Sequence, residues 1–214
     1  MLASSSGNDK KAAEIVRILT SRFGDIPWWP GDPDEVMIGA ILTQQTRWEN
    51  VERALSFLKE EKLCSLALLH KTDPETIEVA IRCTGFYRVK TRRLKALAAF
   101  IMDTCGGVEA IQTLPTATIR KGLLAINGIG EETADSILCY AFGRESFVID
   151  AYTERIACCA GITTPRPKLK ALFERVLTKD PHVYHQTHAH MVEYAKHVCT
   201  KKRCEGCRIM ALNG

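Results

Sequence analysis

Apolar residues recur at helical spacing along almost the whole chain, and no stretch alternates for long in the manner of a half-buried strand. Ala12, Ile15, Val16, Leu19 and Phe23 fall on one face of a first helix, and Val51, Leu55 and Leu58 on one face of another spanning 48–61. Between them, Ile26-Pro27-Trp28-Trp29-Pro30-Gly31-Asp32-Pro33 interrupts the period. Its prolines and glycine predict a fixed loop carrying two adjacent tryptophans. Asp32-Pro33 has the chemistry of a helix start, an acidic N-cap followed by proline at the first helical position, so a helix is predicted over 34–44. Asp73-Pro74-Glu75 starts a further short helix in the same way. Helices are also predicted over 89–105, 118–125, 131–142, 168–177 and 182–198, and one beginning near Asp150. Ser146-Phe147-Val148-Ile149 reads as a short extended piece leading into it. In the 89–105 helix Leu94, Leu97, Ala98 and Ile101 face inward, and Lys90, Arg92, Arg93 and Lys95 form a basic outer face. The fold class is all-α.

At 214 residues the chain is long enough to bury a sizeable core, in one domain or two closely packed ones. A composition of 46% hydrophobic and 25% charged residues excludes disorder, collagen and simple repeats. No run approaches the ~20 apolar residues of a membrane span. Met1-Leu2-Ala3-Ser4-Ser5-Ser6-Gly7-Asn8-Asp9-Lys10 lacks the basic and apolar regions of a secretory signal, so a cytoplasmic protein is expected, nucleoid-associated in a prokaryote. The net charge of +4 permits a nucleic-acid partner without demanding one. Nine cysteines in such a chain read as reduced thiols or metal ligands rather than disulfides.

The most informative segment is Leu123-Leu124-Ala125-Ile126-Asn127-Gly128-Ile129-Gly130-Glu131-Glu132-Thr133-Ala134. One helix ends, two glycines flank one apolar residue, and a second helix begins. Glycine permits φ > 0 and close backbone approach. The second helix presents unpaired N–H groups and a positive dipole end, a geometry that binds phosphate through the backbone, with Ile129 tucked between the helices. Taken alone, Gly-x-Gly is more often an ordinary tight turn between helices than a phosphate site. Further along stands Phe147-Val148-Ile149-Asp150-Ala151-Tyr152-Thr153-Glu154-Arg155-Ile156. Asp150 is a favoured N-cap, and the same placement holds a carboxylate ionised at a helix N-terminus.

Together these segments resemble the helix-hairpin-helix DNA glycosylases of the endonuclease III superfamily, in which a Leu-x-Gly-Ile/Val-Gly hairpin is followed by an aspartate after a short apolar run. Leu42-Thr43-Gln44-Gln45-Thr46 resembles the superfamily's early helix ending in a glutamine that enters the DNA stack. Gly85-Phe86-Tyr87-Arg88-Val89-Lys90 resembles its second wedging loop. The likeness covers nearly the whole chain in order. It implies two helical domains, one central (34–147, with the hairpin at 118–142) and one built from 1–33 and 148–214, with an active-site cleft between them. The implied partner of this monomer is double-stranded DNA with a flipped damaged base. Gly128, Ile129 and Gly130 would anchor phosphate, Gln44 and Phe86 would fill or wedge the gap, and Arg88, Lys90, Arg92 and Arg93 would add charge. In such enzymes the aspartate stabilises a sugar that develops positive charge, or orients or deprotonates the attacking water, and Asp150 holds that position.

Endonuclease III places a lysine nucleophile two residues after the second hairpin glycine. Here that residue is Glu132, and a carboxylate forms no Schiff base. The resemblance therefore implies a monofunctional glycosylase that leaves the abasic strand intact. Within the superfamily, Trp28-Trp29-Pro30, the 39–46 segment and 128–141 are most similar to the small 3-methyladenine DNA glycosylases, which excise N3-alkylated purines from an aromatic pocket. An alkylated purine is a cation on a weakened glycosidic bond, and indole faces attract cations. Trp29 and Trp48 are the pocket candidates, with Trp28 and Glu132 beside them and Lys196 from the last helix. Core packing for the tryptophans and a solvated surface position for Lys196 are the competing readings. Glycosylases for mismatched, deaminated or oxidised pyrimidines, or a non-catalytic damage-binding module, are the alternative functions.

The C-terminal segment Cys199-Thr200-Lys201-Lys202-Arg203-Cys204-Glu205-Gly206-Cys207 is similar to the superfamily's iron–sulfur loop, C-x6-C-x2-C-x5-C. The first gap is four rather than six, and the fourth position is Asn213. Cys199, Cys204 and Cys207 could hold a [4Fe–4S] cluster with another ligand, form a Cys3His zinc site with His197 or His190, or hold no metal. No cofactor is needed for the chemistry itself. Cys64, Cys83, Cys105, Cys139, Cys158 and Cys159 read as small core residues.

Overall fold

The computed structural model describes residues 7–29, 31–199 and 204–213, and among them there is no β-strand. The chain divides into two compact units, Trp29–Arg144 and, from the two ends of the chain, Met1–Trp28 with Glu145–Gly214. The boundaries at 29 and 145 differ from those drawn at 34 and 148. The difference matters for one residue: the Trp29 ring packs against Trp48 and Tyr140, so it belongs with the central unit.

The central unit is built around α2 (Pro33–Leu42), whose seven residues from Val36 to Leu42 are all buried. A helix apolar on every side has to be surrounded. Helix α6 (Tyr87–Ala99) and the wider helical turn Ile137–Ala141 pack against it. Asp32 caps α2, accepting from the Glu35 N–H at 2.9 Å with Pro33 behind it, and Asp73 caps α5 (Pro74–Ala80) in the same way. Helix α3 (Trp48–Glu60) turns Val51, Ala54, Leu55 and Leu58 inward. Helix α4 (Leu66–Lys71) was not foreseen. It has six residues and no side-chain cap hydrogen bond, which leaves little local signal, and it is held by Leu66 and Leu69 in the core.

The predicted basic face of α6 needs correction. Lys90 is 1% exposed, and its Nζ donates to the carbonyls of Leu42 and Thr84, both at 2.8 Å. Burial pulls its ammonium down to about 8, with repulsion from Arg93 acting in the same direction. Lys95 likewise donates to the carbonyls of Leu69, His70 and Thr72, at the end of α4. Both lysines satisfy helix-terminal carbonyls, where the dipole favours a cation.

In the terminal unit, α1 (Gly7–Phe23) packs against α10 (Arg166–Val176) and α11 (Pro181–Tyr194). Ile15, Leu19, Leu172 and Phe173 are buried there. The Phe147 ring sits 5.1 Å from Phe173 and 5.9 Å from Tyr184, so the extended piece before Asp150 is pinned by aromatic packing. Of the cysteines expected in the core, Cys105 and Cys139 are buried, but Cys158 is exposed and Cys159 half-buried. Among the described residues, no helix is long and apolar enough to cross a membrane.

Candidate functional site

The hairpin joins α7 (Thr116–Ala125) to α8 (Glu131–Ser136). Arg120 on the first helix clasps Asp135 on the second, Nε to Oδ1 at 2.8 Å and Nη2 to Oδ2 at 3.2 Å. Because Asp135 is buried, this two-pronged contact fixes how the helices meet. Ile129 is buried between the glycines. Gly128 has φ 88°, and a Cβ there would lie 1.9 Å from Arg93 Nε. Gly130 caps α8 in extended backbone, and a Cβ there would meet nothing within 4 Å.

Gln44 is placed differently from expectation. It lies past the end of α2 with its amide bound at both ends. Nε2 donates to the Gly128 carbonyl at 3.0 Å and to Thr133 Oγ1 at 3.2 Å, while Arg93 donates to Oε1. Gln44 and Arg93 thus serve as braces of the hairpin. Gln45 follows at φ 55°, exposed, in the left-handed region that a non-glycine residue occupies only when its surroundings impose it. The helix predicted over 34–44 ends earlier, at Leu42, and that end decides which of the two glutamines is exposed. Phe86 is 65% exposed at φ 46°, directly after Gly85 at φ 68°. Arg88 is exposed, its Nε 3.6 Å from Glu78 and its guanidinium 5.8 Å from the centre of the Tyr87 ring. Lys90, buried as described, is not a surface charge. Glu132 is exposed in the first turn of α8.

Two aromatic groups stand out. In the central unit, Trp29 meets Trp48 edge-on at 5.3 Å and Tyr140 at 5.9 Å. Gly39 makes room for this arrangement, since a Cβ there would lie 2.5 Å from Trp29 Cζ2. Trp48 is 38% exposed. Tyr140 was not singled out in the sequence, although it lies on the same helical stretch as the hairpin.

In the terminal unit, Trp28 meets His188 edge-on at 6.4 Å, and Lys196 Nζ lies 5.4 Å from the centre of the Trp28 ring. Lys196 also pairs with Glu193 at 2.9 Å. The aromatic partner of Lys196 in its own unit is thus Trp28, the tryptophan given the lesser role.

Asp150 caps α9 (Ala151–Cys159), its Oδ1 accepting from the Thr153 N–H at 2.7 Å. Its Oδ2 lies 3.4 Å from His188 Nε2, and the residue is 9% exposed. Burial alone pushes this carboxyl up, but His188 and the Thr153 N–H outweigh it, and the group lies at about 2. His185, hydrogen-bonded to the Trp28 backbone, is driven down to about 4, first by burial and then by the nearby His188 and His182. His188, which no sequence motif marked, is therefore the imidazole that faces the aspartate.

Among the described residues, no group of three or more His, Cys, Asp or Glu is drawn close enough to hold a single metal ion. His190 binds the Gly24 carbonyl and stacks on Phe23, and His197 Nδ1 lies 2.9 Å from the Glu193 carbonyl. Both histidines weighed for a zinc site are engaged elsewhere.

The family described as HhH-GPD superfamily base excision DNA repair protein matches residues 38–179. A provisionally named DNA repair glycosylase of Methanocaldococcus jannaschii is 43% identical over 92% of this chain and 92% of its own length. Endonuclease III of Thermotoga maritima is 29% identical over 82% of this chain and 80% of its own. Among solved structures, the 3-methyladenine DNA glycosylase of H. pylori, bound to 1,N6-ethenoadenine, superposes with a TM-score of 0.79 at 28% identity, covering 87% of this chain and 97% of that one.

Proposed function

Since the chain belongs to the HhH-GPD superfamily of base excision DNA repair proteins and is a DNA glycosylase of that superfamily, we propose that it removes alkylated purines such as 3-methyladenine from double-stranded DNA and leaves the abasic strand uncut. The observation that carries this reading is the state of Asp150, a nearly buried carboxylate that stays ionised because His188 and the α9 N-terminus hold its charge. As the base departs, the sugar gains positive charge, and a fixed anion lowers the energy of that state without reorganising. A carboxylate near 2 is a weak proton acceptor at neutral pH. Its main contribution is therefore electrostatic, with orientation of the attacking water second. An alkylated purine already carries charge and needs little help as a leaving group.

The partly exposed Trp48 ring, packed edge-on against Trp29 with Tyr140 on the other side of Trp29, offers an aromatic face for such a cation. The likeness to a 3-methyladenine glycosylase supports the same substrate class. Gln45 and Phe86, both held at positive φ and exposed, are proposed as the residues that fill and wedge the duplex, with Gln44 bracing the hairpin. Gly128 and Gly130 offer the phosphate anchor, and Arg88 adds charge at the rim. Lys196 and Trp28 are proposed as a cation–π pair that accompanies Asp150 within the terminal unit, Trp28 meeting the same His188 that faces the aspartate. No step requires a cofactor.

Glu132 carries the strand-intact part of the proposal, because the second hairpin helix opens with two acids and no amine. Borohydride added during turnover on an alkylated duplex should trap no covalent protein–DNA adduct. A robust adduct would refute a monofunctional mechanism.

A further inference from the structure

Gln45 at φ 55° and Phe86 at φ 46° are exposed side chains in the left-handed region, where a bulky residue stays only if its surroundings hold it. One buried side chain is bonded to the backbone near both. Lys90 stands in the first turn of α6, where a helical side chain leans toward the N-terminus. Its Nζ donates to the Thr84 carbonyl, just before Gly85-Phe86, and to the Leu42 carbonyl, at the end of the helix that leads into Gln45, both at 2.8 Å. Its backbone N–H donates to the Phe86 carbonyl itself at 3.0 Å. Phe86 is thus bracketed on both sides by one residue. A second tie runs alongside: Asn50 of α3 donates from Nδ2 to Thr46 Oγ1 at 3.2 Å, and the Cys83 thiol donates to the Asn50 carbonyl at 3.4 Å.

A lysine is a costly choice for this place. It is 1% exposed, it sits at the positive end of its own helix dipole, and Arg93 repels it. An apolar side chain of similar length would fill the space without those costs. What the ammonium adds is a joint between the last residue of α2 and the last residue of the turn Arg82–Thr84. We infer that Lys90 is a positioning residue for DNA binding, a buried clip that ties the Gln45 turn to the Phe86 turn and presents both side chains together, an assignment that rests on their proposed entry into the duplex. Lys90 acts through those two residues and does not itself touch DNA. Without the clip the two turns lose their common anchor, and each is free to leave its left-handed conformation.

The test reads binding rather than base release, so base preference does not enter it. The full chain is titrated into a duplex that carries a tetrahydrofuran abasic analogue opposite 2-aminopurine, whose emission rises when it loses its stacking partners. Lys90→Met should weaken the fluorescence-detected binding about tenfold, and Lys90→Gln, which keeps a donor, should lie between it and the unmodified protein. In a Gln45→Ala, Phe86→Ala background, Lys90→Met should add less than about twofold, because the side chains it positions are gone. A plain loss of packing would cost the same in both backgrounds. Circular dichroism identifies the folded variants. Equal losses in the two backgrounds, undiminished binding by folded Lys90→Met, or collapse of the fold in both Lys90 variants would overturn the clip. If Gln45→Ala and Phe86→Ala leave binding and emission unchanged, their entry into the duplex fails and the clip with it. If they weaken binding while Lys90→Met does not, the clip alone fails.

Discussion

Asp150→Asn should slow excision of 3-methyladenine under single-turnover conditions by about 10²–10⁴-fold while the protein remains folded. Asparagine caps a helix as well as aspartate does, so the Thr153 N–H keeps its acceptor and α9 keeps its start. What disappears is the negative charge that the proposed mechanism sets against the developing sugar cation. The same substitution has a separate signature in stability. The folded carboxyl lies at about 2, below its ordinary unfolded value of about 3.9. Its contribution, on the order of 2 kcal/mol, is fully present above the unfolded value and is lost as pH falls through the folded one. Acid unfolding of Asp150→Asn should accordingly show a shallower loss of stability between about pH 4 and pH 2. The activity of the unmodified enzyme should show no acidic limb from this group across the neutral range. Excision by folded Asp150→Asn at the unmodified rate sinks the assigned role.

Trp48→Ala should cost about 2- to 30-fold in excision of 3-methyladenine, the effect of losing one cation–aromatic contact of about 0.5–2 kcal/mol. Trp48 opens α3 and is partly exposed, so alanine suits the helix and the melting temperature should move little. The distinguishing readout is charge. A cationic base should suffer more than a neutral one of similar size, because only the cation gains from the ring quadrupole. Equal losses on both would reduce Trp48 to a shape-filling residue, and no loss would remove it from the pocket.

Much of the site was legible because its chemistry is local. The Gly128-Ile129-Gly130 spacing reports a backbone need, and Phe147 to Asp150 couples an apolar run to a cap. Both read the same in sequence and in space. Lys90 was misplaced because a lysine on a basic helix looks alike whether it faces water or the carbonyl ends of other segments. Only the ends of α2 and of the turn at Thr84 explain it. The hydrogen bonds of Gln44 were hidden for a related reason: at a helix end, a shift of one residue decides which side chain is bound and which is exposed. His188 carries no motif, and it gains its significance from a partner far away in sequence, Asp150. The tryptophans were identified as a group, but the boundary between units falls between Trp28 and Trp29, which gives the two rings different neighbours.

The most direct test of the account measures base release and strand cleavage separately on matched duplexes carrying 3-methyladenine, uracil, thymine glycol or a G·T mismatch. The account predicts release of 3-methyladenine well above the other three, with breaks appearing only after the abasic site is cleaved by alkali. Preferential release of a pyrimidine, or breaks formed by the enzyme alone, would contradict it.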